Sequence, residues 1–224
     1  MEPKPRFLQI LDVVTAILFI VAVGMVFFYA PTEATMGQVQ RVFYFHVATA
    51  WVGMLGILYL VRKERRWDIA GLAAIEISLV FFFIAIVSGS IWARPTWGTW
   101  WTWDPRLTTA TIVELVYAAY LMLRSGIEDP DRRARFGAVY AILGFISVPL
   151  TFVSIRLLRT IHPVVIGGGN ASAEGDFSMT PKMLQTFMFS LLVFSFIFAD
   201  LLWHRIRLGW LADKVEQLRL KMVH

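Results

Sequence analysis

Six stretches of the chain are almost uninterruptedly apolar, each bounded by polar or charged residues: Phe7–Ala30, Val42–Val61, Ile69–Trp92, Leu107–Leu123, Phe136–Ile155 and Met183–Trp203. Each approaches the roughly 20 residues that a helix needs to cross a bilayer. The first is too long and too smoothly apolar for a signal-peptide core, so it is expected to stay in the protein. The fourth is the shortest and carries Glu114, a carboxyl expected to make a structural hydrogen bond inside the bundle. Pro149 is expected to kink the fifth. From Arg205 onward the pattern changes. Leu208, Leu211, Val215, Leu218 and Met222 recur at steps of three and four with charges between them, which predicts an amphipathic helix lying on the membrane surface. The expected architecture is all-α: a six-helix membrane domain over 1–204, with a loop at 93–106, and an amphipathic tail over 205–224.

Composition agrees. Of 224 residues, 58% are hydrophobic and 17% charged, against the quarter charged that soluble domains usually carry. The net charge of +5 has meaning through its distribution. Fifteen basic residues flank the spans on one side: Lys4, Arg6, Arg62, Lys63, Arg65, Arg66, Arg124, Arg132, Arg133, Arg135, Arg205, Arg207, Lys214, Arg219 and Lys221. Six lie on the other: Arg41, Arg94, Arg106, Arg156, Arg159 and Lys182. The positive-inside rule therefore puts both termini in the cytoplasm, and no nucleic-acid partner is expected. Asp12, Glu76 and Asp200 fall toward the cytoplasmic ends and read as structural. The loops Pro31–Arg41, Ala93–Arg106 and Arg156–Lys182 face outward. Gly167–Gly169 and the acceptor-like Asn170-Ala171-Ser172 read as ordinary parts of the last. There is no cysteine, which excludes disulfides, thiolate metal sites and covalent haem attachment.

The second outward loop contains "WGTWWTWDPR", residues Trp97–Arg106. With Trp92, it concentrates five of the nine tryptophans in twelve residues. An interfacial aromatic belt would spread them over many helix ends and would explain neither Gly98 nor Asp104-Pro105-Arg106. Read as a helix, Trp97, Trp100, Trp101 and Asp104 share a face: an indole shelf ending in polar groups, suited to a flat aromatic ligand with an anionic edge. Two of the four histidines, His46 in "QRVFYFHVATAW" and His162 in "RTIHP", fall at the same leaflet as this loop. His204 and His224 read as surface residues. Imidazole is a standard axial ligand of haem iron. Arg41, Arg94, Arg106, Arg156 and Arg159 are unranked partners for propionates.

These segments resemble the tryptophan-rich WWD family of haem-handling proteins in cytochrome c maturation, most nearly the heme exporter protein C family. The resemblance covers essentially the whole chain. It implies non-covalent haem b at the periplasmic face of a bacterial inner membrane, with His46 and His162 as axial ligands. Trp97, Gly98, Trp100, Trp101, Trp103, Asp104 and Arg106 would form the platform, and Arg41 stands just before the first histidine. Pro105 follows the aspartate where some relatives have a small residue, and Pro163 follows the second histidine; either proline can alter loop shape. The implied partners are a periplasmic haem chaperone (heme exporter protein E), an ATP-binding subunit, a second membrane subunit and a small single-span subunit. The implied role is delivery rather than enzymatic turnover, with the WWD part promoting haem attachment to the chaperone. The chain has no GxxxxGK[ST] loop, so energy from ATP would have to come from another subunit. Two other classes compete: a cytochrome b-like electron-transfer subunit, which usually stacks histidine pairs across the bilayer, and a transporter subunit without haem whose tryptophans only anchor it.

Overall fold

The computed structural model describes residues 3–55, 65–165 and 179–223. The chain is an all-α polytopic membrane protein. Its helices are α1 (Arg6–Gly24), α2 (Gln40–Leu55), α3 (Arg65–Trp97), α4 (Pro105–Gly126), α5 (Pro130–Leu157) and α6 (Pro181–Val223). A π-helical turn, Met25–Tyr29, prolongs α1 and closes with Ala30 N–H donating to the Met25 carbonyl at 2.8 Å. Among the described residues the nearest thing to a sheet is an isolated bridge between Glu33 and Gly37. Backbone polar groups in a bilayer must be satisfied within the segment, which is what helices do.

Among the described residues, five helices are long and apolar enough to cross a membrane: α1 with its π-turn, α3, α4, α5 and α6. The second predicted span begins as α2; its remainder, 56–61, lies outside the described residues, as do Arg62 and Lys63. So do Gly167–Gly169, Asn170-Ala171-Ser172 and His224. Exposed side chains such as Phe7, Ile10, Ile17 and Ile20 give α1 an apolar outer face suited to lipid.

The elements differ from the sequence expectation in two instructive ways. Helix α3 continues past Trp92 to Trp97, so the tryptophan connection is the shorter segment 98–104 and is not helical. The face proposed for Trp97, Trp100, Trp101 and Asp104 on helical spacing therefore does not exist. Two local signals bound the loop. Gly98 takes a left-handed φ of +73° and donates its N–H to the Arg94 carbonyl at 3.1 Å, which caps α3. At the other end, Asp104 caps α4 and Pro105 occupies its first position. The second difference is in α6, which runs unbroken for 43 residues through the expected boundary at 204–205. At 1.5 Å per residue it is about 64 Å long, roughly twice the hydrocarbon thickness.

Helix α2 packs along α3, α4 along α5, and α6 closes against α1, α2 and α3. Phe43, Tyr44, Trp92, Met183 and Phe187 form one core at the tryptophan end. Phe82, Val113, Tyr117, Tyr120 and Val148 join α3, α4 and α5. The opposite, basic end is tied by ion pairs. Arg124 holds Asp68 through two parallel bonds, Nη1–Oδ1 at 2.5 Å and Nη2–Oδ2 at 2.8 Å. Arg205 donates from Nη2 to Glu76 Oε1 at 2.8 Å. Lys4 pairs with Asp12, and Arg65 with Asp213. His204, expected as a plain surface residue, bonds Asp12 through Nε2 at 2.8 Å. These contacts put the start of α1 and the second half of α6 at one end of the bundle. Glu114 departs from expectation: among the described residues its buried Oε2 has no hydrogen-bond partner.

The Arg124 side chain is only 10% exposed, so losing its forked partner is costly. Asp68→Ala is expected to destabilise the protein by about 1–3 kcal/mol. Thermal melting of the detergent-solubilised protein checks this; an unchanged melting temperature would remove the pair from the list of structural ties.

Candidate functional site

At the tryptophan end, α2, α3, α4, α5, the tryptophan loop and the segment after α5 enclose a cavity of about 380 Å³. That lies within the usual range for small-molecule sites. His46 and Trp51 reach it from α2, Gly89 and Trp97 from α3, Arg106 from α4, and Thr151, Phe152 and Arg156 from α5. Trp100, Trp101 and His162 complete the wall from the loops.

His46 sits in the middle of α2 against α3. Its Nδ1 lies 2.8 Å from the Ala85 carbonyl. A carbonyl can only accept, so Nδ1 carries the proton and Nε2 keeps the lone pair. The ring fits because residue 89 is glycine: a Cβ there would meet His46 Cε1 at 2.7 Å and Nδ1 at 3.1 Å. No side chain of ordinary size can occupy that position without displacing the imidazole.

His162 lies beyond the end of α5. Its Nδ1 is 3.0 Å from the carbonyl of Pro163, so the same tautomer results. Burial pushes this imidazole down to about 3, with the Arg106 guanidinium and His46 acting in the same direction and the bond to Pro163 opposing them. His162 is thus neutral at physiological pH, with Nε2 free to act as a ligand. The segment carrying it is tied back to the tryptophan loop. Asp104 accepts from Thr160 Oγ1 at 2.8 Å and from the Ile161 N–H at 2.9 Å.

The tryptophans divide. Trp92 is buried in the core, donates to Gln40 Oε1 at 3.3 Å and meets Trp97 edge-to-face at 5.7 Å. Trp97 in turn lies edge-on to the His162 ring at 6.2 Å. Trp101 packs edge-on against Trp103 at 5.9 Å. Trp100 and Trp103 are 58% and 74% exposed, which leaves two indoles on the outer rim. Of the ten residues that the sequence nominates, His46, His162, Trp97, Trp100, Trp101 and Arg106 line the cavity; Gly98, Trp103, Asp104 and Arg41 do not. Gly98 is the cap of α3, and Arg41 lies over the Phe27 ring at 5.4 Å.

The arginines also separate. Arg106 donates to the Thr151 carbonyl and stands 5.1 Å over the Phe152 ring. Arg94 turns to the Gly98 carbonyl. Of the five arginines named as anion partners, Arg106 and Arg156 line the cavity.

The sequence profile of the heme exporter protein C family matches residues 2–221. The chain belongs to that family. It is 34% identical over 173 residues to heme exporter protein C of Bradyrhizobium diazoefficiens, covering 73% of this chain and 65% of that protein. That match spans just under two thirds of the relative's length. Over 217 residues it is 32% identical to heme exporter protein C of Rhodobacter capsulatus, covering 92% of this chain and 88% of the relative. The protein of that name in Escherichia coli is 28% identical over 202 residues, covering 86% and 80%.

Sequence reading overlooked Gly89 and Thr160. Gly89 had a local signal: it interrupts an apolar helix between Ser88 and Ser90, where a neighbour approaches closely. Gly89→Ala is expected to push the His46 ring away and break its bond to Ala85, at a stability cost of about 1–3 kcal/mol. Histidine ¹⁵N NMR reads the tautomer directly; an unchanged Nδ1–H signal for His46 would show that the ring tolerates the methyl.

Proposed function

We propose that this heme exporter protein C family member binds haem b as cargo in the cavity described above and presents it for cytochrome c maturation. One observation carries the reading: two imidazoles with Nδ1 held by backbone carbonyls border the same cavity, each leaving Nε2 as a possible metal ligand. This is the arrangement that a second hydrogen bond imposes on metal-binding histidines. The wall chemistry suits the cargo as well. Trp97, Trp100 and Trp101 supply flat apolar faces. Arg106 and Arg156 bring guanidinium charge to the wall, where carboxylates of the cargo would lie. With no cysteine in the chain, the cargo is held without a thioether bond and can leave.

In this reading the tryptophan end faces the periplasm of a bacterial inner membrane, as the excess of basic residues at the other end supports. The exposed Trp100 and Trp103 offer a face to the haem chaperone, heme exporter protein E, and the WWD loop assists the chaperone's covalent attachment of haem. An ATP-binding subunit, a second membrane subunit and a small single-span subunit complete the export complex. The protein is a delivery subunit, and its residues bind, orient and release.

Reconstitution of the purified protein with hemin tests the proposal. A Soret band should appear. His46→Ala and His162→Ala should each weaken haem affinity by about tenfold or more, and the double variant should lose the band. Wild-type haem uptake that persists unaltered in the double variant would overturn the assignment. Rapid, stoichiometric redox cycling with quinol would favour an electron-transfer role instead.

A further inference from the structure

Asp104 lies outside the cavity, yet its carboxylate serves three donors. Oδ1 accepts from the Arg106 N–H at 2.9 Å and from Thr160 Oγ1 at 2.8 Å. Oδ2 accepts from the Ile161 N–H at 2.9 Å. Thr160 Oγ1 then accepts from the His162 N–H at 3.1 Å. Asp104 is 9% exposed and Thr160 1%, so water offers little competition for these bonds. Charge-assisted bonds of this kind are among the stronger ones. Here they join segments 56 and 57 residues apart in sequence.

The two histidines are consequently anchored in different ways. His46 is held by α2 and by the Ala85 carbonyl of α3, both within the bundle. His162 follows α5, and its backbone is fastened to the tryptophan loop through Asp104 and Thr160. We propose that Asp104 is a positioning residue that couples the tryptophan loop to His162, so that displacing the loop withdraws this ligand while His46 stays in place. Trp100 and Trp103 are the exposed handles through which a protein docking on the rim would move the loop. Release of cargo then begins at His162. The inference rests on the proposed haem reading and adds an order to the loss of its two ligands.

A plain helix cap would also use Asp104, and the chemistry of asparagine separates the two roles. Asp104→Asn can keep its oxygen toward Arg106 and Thr160, preserving the cap, while its amide nitrogen faces the Ile161 N–H, donor against donor. Thr160→Val removes the hydroxyl at nearly constant shape, and Thr160→Ser restores it. In the haem-free protein, hydrogen exchange at the Ile161 amide should accelerate by about tenfold or more in Asp104→Asn and at the His162 amide in Thr160→Val, and return toward wild type in Thr160→Ser. In hemin-loaded protein, Asp104→Asn and Thr160→Val should keep the Soret band but shift from low-spin to high-spin, and added imidazole should restore the low-spin spectrum. Wild-type exchange rates in Asp104→Asn and Thr160→Val, or a spin state unchanged in both, would overturn the coupling. If wild-type protein takes up no hemin, the haem reading fails instead, and the exchange rates still decide whether the tether exists.

Discussion

A neutral imidazole has one nitrogen that must donate and one that can only accept, and in a low-dielectric bundle the donor has to find a carbonyl. That demand organises the tryptophan end. At His46 the acceptor is the Ala85 carbonyl, and reaching it brings the ring onto the backbone of α3 at Gly89. At His162 the acceptor is the carbonyl of the next residue, Pro163, so the local turn sets the tautomer by itself. Pro163 is therefore compatible with the histidine's orientation. Both rings end with the same nitrogen available, one fixed by helix packing and the other by a loop.

How much of this could be read from the chain follows from the range of each signal. Apolar runs near 20 residues mark the spans, five of which the described helices match in length and hydropathy, and counting them assigns His46, His162 and the tryptophan loop to one end. Helix ends were less legible. Ala93-Arg94-Pro95 looks like a break, yet α3 continues to Trp97, because Arg94 folds back onto the Gly98 carbonyl and the glycine cap comes later. The fall in hydropathy at His204-Arg205 suggested a boundary that the backbone of α6 ignores, since helical geometry does not require apolar side chains. The least visible feature was Asp104. Its motif suggested a cavity residue, whereas its partners Thr160 and Ile161 are more than fifty residues away and leave no local pattern.

The two ends of the bundle use charge differently. At the basic end, Arg124–Asp68, Arg205–Glu76 and Arg65–Asp213 neutralise one another and hold α3, α4 and α6 together. At the tryptophan end, the Arg106 guanidinium meets a neutral carbonyl and an aromatic face, with the Asp104 carboxylate near enough to act on its charge. A guanidinium on the cavity wall can accommodate an anionic group. Glu114, whose Oε2 has no partner among the described residues, lies on α4 two turns below Arg106 and near Tyr117, between these regimes.

The unbroken course of α6 has a mechanical corollary. Leu191 of this helix borders the cavity, while Asp213 of the same helix is fastened to Arg65 at the far end. A rod of about 64 Å without a break spans the distance between the two ends of the bundle. The chamber wall and the ion-paired far end are thus parts of one continuous helix.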